Sequence, residues 1–246
     1  MIPVGIRGKP VLSASGPVGR RLATIPMMMY RDRRHAGELL ARQLLAYRGQ
    51  KPLVLALPPG GVLVGRQIAD ELGGDLDLLL VHRLAIPGNP NCVIGSITEN
   101  GHVELGPFAV ESPGTRDLLK AEIHTQIHLL KVRRDFYTPV GTPADPKDRI
   151  TIIADDGCTP GSDFLAALKA VRERGPRRLI VAVPILPKER LVCLCAIADE
   201  VICPATPAFF GTVRRFFEDF PPVTEDQVVE ALRADPTRTL GKVEEH

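Results

Sequence analysis

Residues 150–163 read Ile-Thr-Ile-Ile-Ala-Asp-Asp-Gly-Cys-Thr-Pro-Gly-Ser-Asp. An apolar run, Ile150 to Ala154, ends in two consecutive carboxylates, Asp155 and Asp156. Six small residues follow: Gly157, Cys158, Thr159, Pro160, Gly161 and Ser162. At Asp163 a helical pattern begins. Neighbouring carboxylates accept hydrogen bonds from adjacent sugar hydroxyls, or help hold a hydrated Mg²⁺. The turn after them offers backbone N–H groups at a helix N-terminus, where an anion is favoured. Glycine lets the backbone approach closely. Together these features suit a sugar phosphate. The simpler alternative is an ordinary strand-to-helix turn in which Asp155 or Asp156 serves as a cap.

Other segments carry weaker signals. Glu122, His124 and His128 share a helical stretch, and the two histidines are one turn apart, as metal ligands can be. The stretch is strongly charged with no further ligand nearby, so a solvated face is the better reading. Gly60-Gly61-Val-Leu-Val-Gly65 lacks the G-x-G-x-x-G order of a dinucleotide fingerprint. Cys158 sits on a turn as a nucleophile would, but Gly157 and Gly161 do not form the five-residue elbow centred on it.

The elements that must position these residues alternate in type. Arg34 to Tyr47 carries Leu39, Leu40, Leu44 and Leu45 at helical spacing, ahead of Gly49. Leu53 to Leu57 is an apolar run suited to a strand covered on both faces. Pro58-Pro59-Gly60-Gly61 is a turn, and Val62 to Leu72 a helix closed by Gly73-Gly74. Leu76 to Val81 reads as a second buried strand, and Ala85 to Asn91 as a Pro/Gly/Asn-set loop. Val93 to Thr98 and His102 to Leu105 flank Asn100-Gly101, a hairpin signal. Thr115 to Phe136 predicts a long helix, and Pro139 to Lys147 a linker. The strand Ile150 to Ala154 then leads to a helix over Asp163 to Arg174. Leu179 to Val183 is a strand, Lys188 to Ala196 a helix, and Glu200 to Cys203 a fifth strand. This alternation predicts an α/β fold with a central parallel sheet of about five strands, flanked by helices, and a small hairpin beside it. In such a sheet ligands bind beyond the carboxyl ends of the strands. Three loops leave those ends: Pro58 to Gly61, His82 to Asn91, and Asp155 to Asp163.

The bulk properties are those of an ordinary globular chain. It has 246 residues, 44% hydrophobic and 24% charged, with a net charge of +2. That balance argues for neither nucleic acid nor a membrane surface as partner. No apolar run approaches the ~18 residues of a membrane span. Five scattered cysteines predict reduced thiols and a cytoplasmic protein. Residues 1–29 form a basic, Gly/Pro/Ser-rich extension read as disordered, residues 30–233 the domain, and residues 234–246 a polar tail.

The segment from Ile150 to Asp163 resembles the phosphoribosyl-diphosphate signature of the type I phosphoribosyltransferase family. Ile150 to Ala154 matches its apolar strand, Asp155 and Asp156 its acidic pair, and Gly161 its glycine. Leu55-Ala-Leu-Pro-Pro-Gly-Gly-Val62 is similar to the family's diphosphate loop. His82-Arg83-Leu-Ala-Ile-Pro-Gly-Asn-Pro90, Ile94-Gly-Ser-Ile-Thr-Glu99, and Ala198-Asp-Glu-Val-Ile-Cys203 leading to Phe209 resemble an uncharacterised bacterial subgroup. The resemblance runs from Tyr30 to about Leu232. It implies transfer of phosphoribose from phosphoribosyl diphosphate to a nitrogenous base, with release of diphosphate. By the same resemblance, Asp155 and Asp156 hold the ribose hydroxyls and, through water, Mg²⁺. Gly157, Cys158, Thr159, Gly161, Ser162 and Asp163 cradle the 5′-phosphate. Pro59, Gly60, Gly61 and Arg83 receive the diphosphate, and Phe209 or Phe210 offers a face to the base. It also implies a homodimer.

The chain departs from the pattern at ligand-contacting positions. Pro160 stands where a threonine belongs and lacks an N–H. Asp163 stands where another threonine belongs. A carboxylate ~4 Å from a phosphate charge is repelled by about 4 kcal/mol at an effective dielectric near 20. A charge-assisted hydrogen bond returns ~1.5–3 kcal/mol. Pro59 replaces an arginine, and His82-Arg83 an Arg-Lys pair. Either Asp163 turns aside to cap its helix and leaves Gly161, Ser162 and their amides to bind phosphate, or the site is degenerate and Asp163 sits where the phosphate would be. The second functional reading is a non-catalytic protein of the same fold that senses a nucleotide or sugar phosphate. A hydrolase using Cys158 is a third reading.

Overall fold

A computed structural model describes residues 29–86, 89–105, 113–137, 143–158, 164–207 and 209–233. Five parallel strands form its centre: β1 (Leu53–Ala56), β2 (Asp75–Leu78), β6 (Ile150–Ala154), β7 (Arg178–Ala182) and β8 (Glu200–Ile202). Three antiparallel strands make a second sheet: β3 (Val81–Ile86), β4 (Asn89–Thr98) and β5 (Val103–Leu105). The helices are α1 (Arg33–Gln43), α2 (Gly60–Leu72), α3 (Pro113–Tyr137), α4 (Phe164–Glu173), α5 (Lys188–Ile197) and α6 (Glu225–Arg233).

The central order is β2-β1-β6-β7-β8. The chain leaves β1 toward β2 in one direction and leaves β6 toward β7 in the other. The two strands pair in register from Leu53↔Thr151 to Ala56↔Ala154. Their carboxyl ends therefore lie side by side where the winding reverses, the place where open α/β sheets form ligand crevices.

Alternation along these buried strands builds two cores. Val54, Ala56, Ile152, Ala154, Ile180 and Ala182 pack with residues of α1, α2 and α6. Leu53, Leu55, Ile153, Leu179 and Val181 pack with residues of α4 and α5. Both faces are covered, which is why the strands read as unbroken apolar runs. A third cluster joins Tyr30 to Ile185, Phe210, Val213, Phe216 and Phe217. Tyr30 Oη donates to the Pro184 carbonyl at 2.7 Å, and Tyr30 N to Phe216 O at 2.8 Å. The C-terminal segment is thereby tied to the start of α1, beside the carboxyl edge of the sheet.

Several boundaries differ from the sequence reading. The first helix ends at Gln43, and one tighter turn, Leu45–Tyr47, follows. The second helix begins at Gly60, so both glycines belong to its first turn rather than to the preceding loop. The run read as one strand over Leu76 to Val81 divides: β2 stops at Leu78, and Val81 already belongs to the antiparallel sheet. The loop expected over Ala85 to Asn91 is largely strand, with register shifts around Ala85 that absorb the irregularity. The Asn100-Gly101 hairpin forms, with Gly101 at φ +81°.

The small sheet is anchored by a buried arginine. Arg134 of α3 pairs with Asp77 of β2 at 2.7 Å and with Glu99 after β4, and its Nη2 donates to Leu78 O at 2.8 Å. Asp77 also accepts from Ala144 N at 2.7 Å. Three segments far apart in sequence meet on this one guanidinium, each buried charge facing an opposite one.

Candidate functional site

The reversal point brings two predicted segments together. Leu57 N donates to Ala154 O at 3.0 Å, carrying the Pro58–Gly61 turn alongside the end of β6. Asp155 and Asp156 follow directly. A Cβ on Gly60 would lie 2.0 Å from Asp156 Oδ2, and one on Gly61 would lie 2.9 Å from Ala154 O and from Asp155 Cα. Only glycine leaves room for the carboxylate pair to rest against the first turn of α2. The partial positive charge of that helix end favours the acids.

The two carboxylates differ in surroundings. Asp156 Oδ2 accepts from Arg33 Nε at 2.7 Å. Arg33 Nη1 donates to Pro221 O at 2.7 Å, and its guanidinium lies 3.6 Å from the Phe220 ring centroid. Arg33 is thus a buried bolt between α1, the acidic pair and the C-terminal segment. Asp155 Oδ1 accepts the Asp156 N–H at 2.8 Å. Asp155 is half-buried. Burial, and then the charge of Asp156, hold its carboxyl well above the usual carboxylate range, while Arg33 opposes them. In this pair Asp155 favours a proton.

Gly157 turns the chain away from the pair at φ +157°. A Cβ there would sit 2.7 Å from both methyls of Val213 and 3.2 Å from Ile185 Cγ2, so the C-terminal segment closes directly on the turn. Cys158 is buried, and its N–H donates to Ile185 O at 3.1 Å. A thiol enclosed in the core has no route to substrate, which removes the hydrolase reading. Thr159, Pro160, Gly161, Ser162 and Asp163 lie outside the described residues.

Pro59 precedes Gly60 at the head of α2. Arg83 is exposed on β3 and shares a cavity of ≈ 180 Å³ with Leu57, Pro58, Leu79, Leu80, Val81 and Arg133. It therefore borders the Pro58–Gly61 turn, but the acidic pair does not line this cavity. Of the two phenylalanines considered for a base, Phe210 packs in the core against Phe216, which withdraws it from that role. Phe209 is 76% exposed, with Arg215 5.6 Å from its ring centroid. His124 and His128 are solvent-exposed, and no cluster of three or more potential metal ligands occurs among the described residues. As a resident metal site the acidic pair does not fit: Arg33 occupies one oxygen of Asp156, and Asp155 favours a proton. Mg²⁺ held mainly by substrate phosphates places a lighter demand on protein carboxylates.

Arg33 is the site residue that sequence reasoning missed. Nothing in the pattern around Asp32-Arg33-Arg34 links it to an acid 123 positions away; its only local sign is the start of a helix.

The architecture defines an α/β protein of the type I phosphoribosyltransferase fold, with the acidic pair and the Gly60-Gly61 turn meeting at the reversal point of its parallel sheet. Comparison makes the family definite. The phosphoribosyl transferase domain profile matches residues 30–204. Two Mycobacterium tuberculosis proteins, from strains H37Rv and CDC 1551, each bear the provisional name phosphoribosyl transferase. Each is 32% identical over 216 residues, covering 84% of this chain and 47% of the relative. The chain thus spans about half the length of these curated relatives. The crystal structure of TT1426 from Thermus thermophilus aligns at 39% identity with a TM-score of 0.72, covering 83% of this chain and 98% of the other. The chain belongs to the phosphoribosyl transferase family. No helix among its described residues is long and apolar enough to cross a membrane.

Proposed function

We propose that residues 30–233 form a transferase unit that moves phosphoribose from phosphoribosyl diphosphate to a nitrogenous base and releases diphosphate. The observation that carries this reading is the seating of Asp155 and Asp156 on the Gly60-Gly61 turn, at the point where the sheet reverses. Asp156, paired with Arg33, accepts from a ribose hydroxyl with its remaining lone pairs. Asp155, when protonated, donates to a second hydroxyl, or accepts from it when ionised. Gly60 and Gly61, with Pro59 before them and Arg83 at the rim, receive the diphosphate, whose Mg²⁺ arrives with the substrate. Gly157, Thr159, Gly161, Ser162 and Asp163 belong to the segment that meets the 5′-phosphate, while Cys158, buried with its N–H on Ile185 O, leaves that set.

The reaction breaks the bond between C1 of the ribose and the diphosphate oxygen, whose electron pair leaves with the diphosphate. A ring nitrogen of the base bonds to C1 and gives up its proton to the departing diphosphate. The transition state carries positive charge on the sugar ring, and the Asp156 carboxylate favours that charge. Holding donor and acceptor in line supplies much of the remaining acceleration.

The test is incubation of the chain with phosphoribosyl diphosphate, Mg²⁺ and a panel of purine and pyrimidine bases, following diphosphate release and the new nucleotide together. The reading expects stoichiometric release and nucleotide with at least one base, abolished in Asp156→Asn. Absence of both products with every base, from protein that binds the donor, would refute transfer.

A further inference from the structure

A second cavity lies away from the carboxyl edge, where α1, α2 and α6 meet. Its volume is ≈ 290 Å³, and Arg34, Arg66, Gln67, Asp70, Gln227 and Glu230 line it with Leu63 and Ala231. Leu63, Arg66, Gln67 and Asp70 recur at three- and four-residue spacing, so they form one stripe of α2 facing the space. Close contact at Gly37 sets the depth of this junction: a Cβ there would lie 2.8 Å from Gln67 Cβ and from Val64 O.

Arg66 is the unusual member. Its side chain is 7% exposed, and Asp70 takes its Nη2. Its Nε and Nη1 are shielded from solvent and have no acceptor. A buried guanidinium with two unmade hydrogen bonds is costly, because each donor has given up water for nothing. The deficit is of acceptors, not of donors: Glu230 and Asp70 keep exposure through which water satisfies them. Arg66 lines the cavity, and its shielded Nε and Nη1 meet an occupant only once the side chain rotates toward the space. Arg34, exposed on α1, adds a second cation, and Gln67 and Gln227 add amide donors.

We propose that this junction binds a small oxyanion, the phosphoryl or carboxylate head of a small molecule, with Arg66 as its fork and Arg34 as its second cation. Both paired edges of the guanidinium include Nη2, so two oxygens on one centre are met by Nη1 or by Nε together with the Nη2 hydrogen that Asp70 leaves, a match a single-atom anion does not offer. Glu230, on the facing helix, sets an upper limit on affinity by like-charge repulsion. The site stands apart from the proposed transferase cleft and does not depend on it.

Inorganic phosphate and succinate, titrated separately to about 20 mM at low ionic strength so that screening stays weak, test the site. Amide shifts of Gln67, Asp70 and Glu230 report the junction, while those of Gly60 and Asp156 report the cleft. The expected result is a saturable change at the junction that Arg66→Met weakens about tenfold or more, with any change at the cleft retained. Glu230→Gln tightens it, and Arg34→Gln weakens it without touching the buried guanidinium, which covers the case of a misfolded Arg66 variant. Saturation by phosphate alone assigns a phosphoryl ligand, and saturation by both assigns the broader class. Junction amides that stay still with both anions, or titrate alike in wild type, Arg66→Met and Arg34→Gln, would overturn the proposal. Shifts confined to Gly60 and Asp156 would leave the cleft standing and remove the second site.

Discussion

Replacing Arg33 by methionine keeps most of the stem's packing and deletes the charge. Arg33 and Asp156 have side chains 9% and 18% exposed, so their ion pair is largely shielded. Leaving one member of a buried pair alone costs about 3–5 kcal/mol, and the residual exposure of Asp156 favours the low end. The lost hydrogen bond to Pro221 O adds about 1 kcal/mol. The lost contact with the Phe220 face adds about 0.5–1 kcal/mol. Uncharging Asp156 by taking up a proton returns part of this. A net cost of about 4 kcal/mol lowers Tm by about 8–16 °C, at ~2–4 °C per kcal/mol for a chain of this size. Thermal unfolding of wild type, Arg33→Met, Asp156→Asn and the double variant completes a cycle. The two costs should fall short of adding by about 2 kcal/mol, because the second substitution removes the charge stranded by the first. Costs that add within about 0.5 kcal/mol would show that the two side chains do not depend on each other. A Tm unchanged in Arg33→Met would refute the bolt altogether.

Gly60→Ala puts a methyl 2.0 Å from Asp156 Oδ2; overpacking of this kind costs about 1–3 kcal/mol, and donor affinity in a calorimetric titration should fall with it. For Asp155, whose carboxyl is held above the usual range, the native state binds more protons than the unfolded chain once pH exceeds about 4. Stability is therefore lost as pH rises from there through the native pKa. Asp155→Asn removes that loss, so its Tm should exceed that of wild type by a margin that grows from pH 4 to pH 8; a margin that shrinks would reverse the sign and refute the assignment. Arg134→Met removes the cation facing Asp77, 2% exposed, and with the amides of Leu78 and Ala144 still donating to that carboxylate should cost about 3 kcal/mol, the low end for a broken buried pair, in denaturant unfolding. A cost under about 1 kcal/mol, the range of a surface pair, would contradict its role as the anchor of the small sheet.

The central strands were legible because burial on both faces leaves no polar residue to interrupt them, as in Ile150–Ala154. The acidic pair and the two glycines were legible because both close a buried strand at the carboxyl edge, a local pattern with a general consequence. The strand β3 was hidden because Leu79, Leu80 and Val81 run on from β2 without a polar break, although the chain changes sheets there. The early start of α2 was hidden because Gly60 and Gly61 read as turn residues; the demand for glycine comes from Asp155 and Asp156 across the sheet. Arg33 was hidden for the same reason, since its acid lies on another element. Helix α6 is short, and its charged first turn, Glu225 and Asp226, leaves its buried residues, Val228, Ala231 and Leu232, confined to its later part. Local patterns carry the elements, while contacts between distant segments decide which of their residues meet.

The central claim is that the end of β6 and the first turn of α2 together hold the donor. Amide chemical shifts recorded while Mg²⁺ and phosphoribosyl diphosphate are added test it most directly. The account predicts saturable movement of Gly60, Gly61, Asp156 and Gly157, lost in Asp156→Asn. Saturable binding that moves amides elsewhere and leaves these four in place would contradict it.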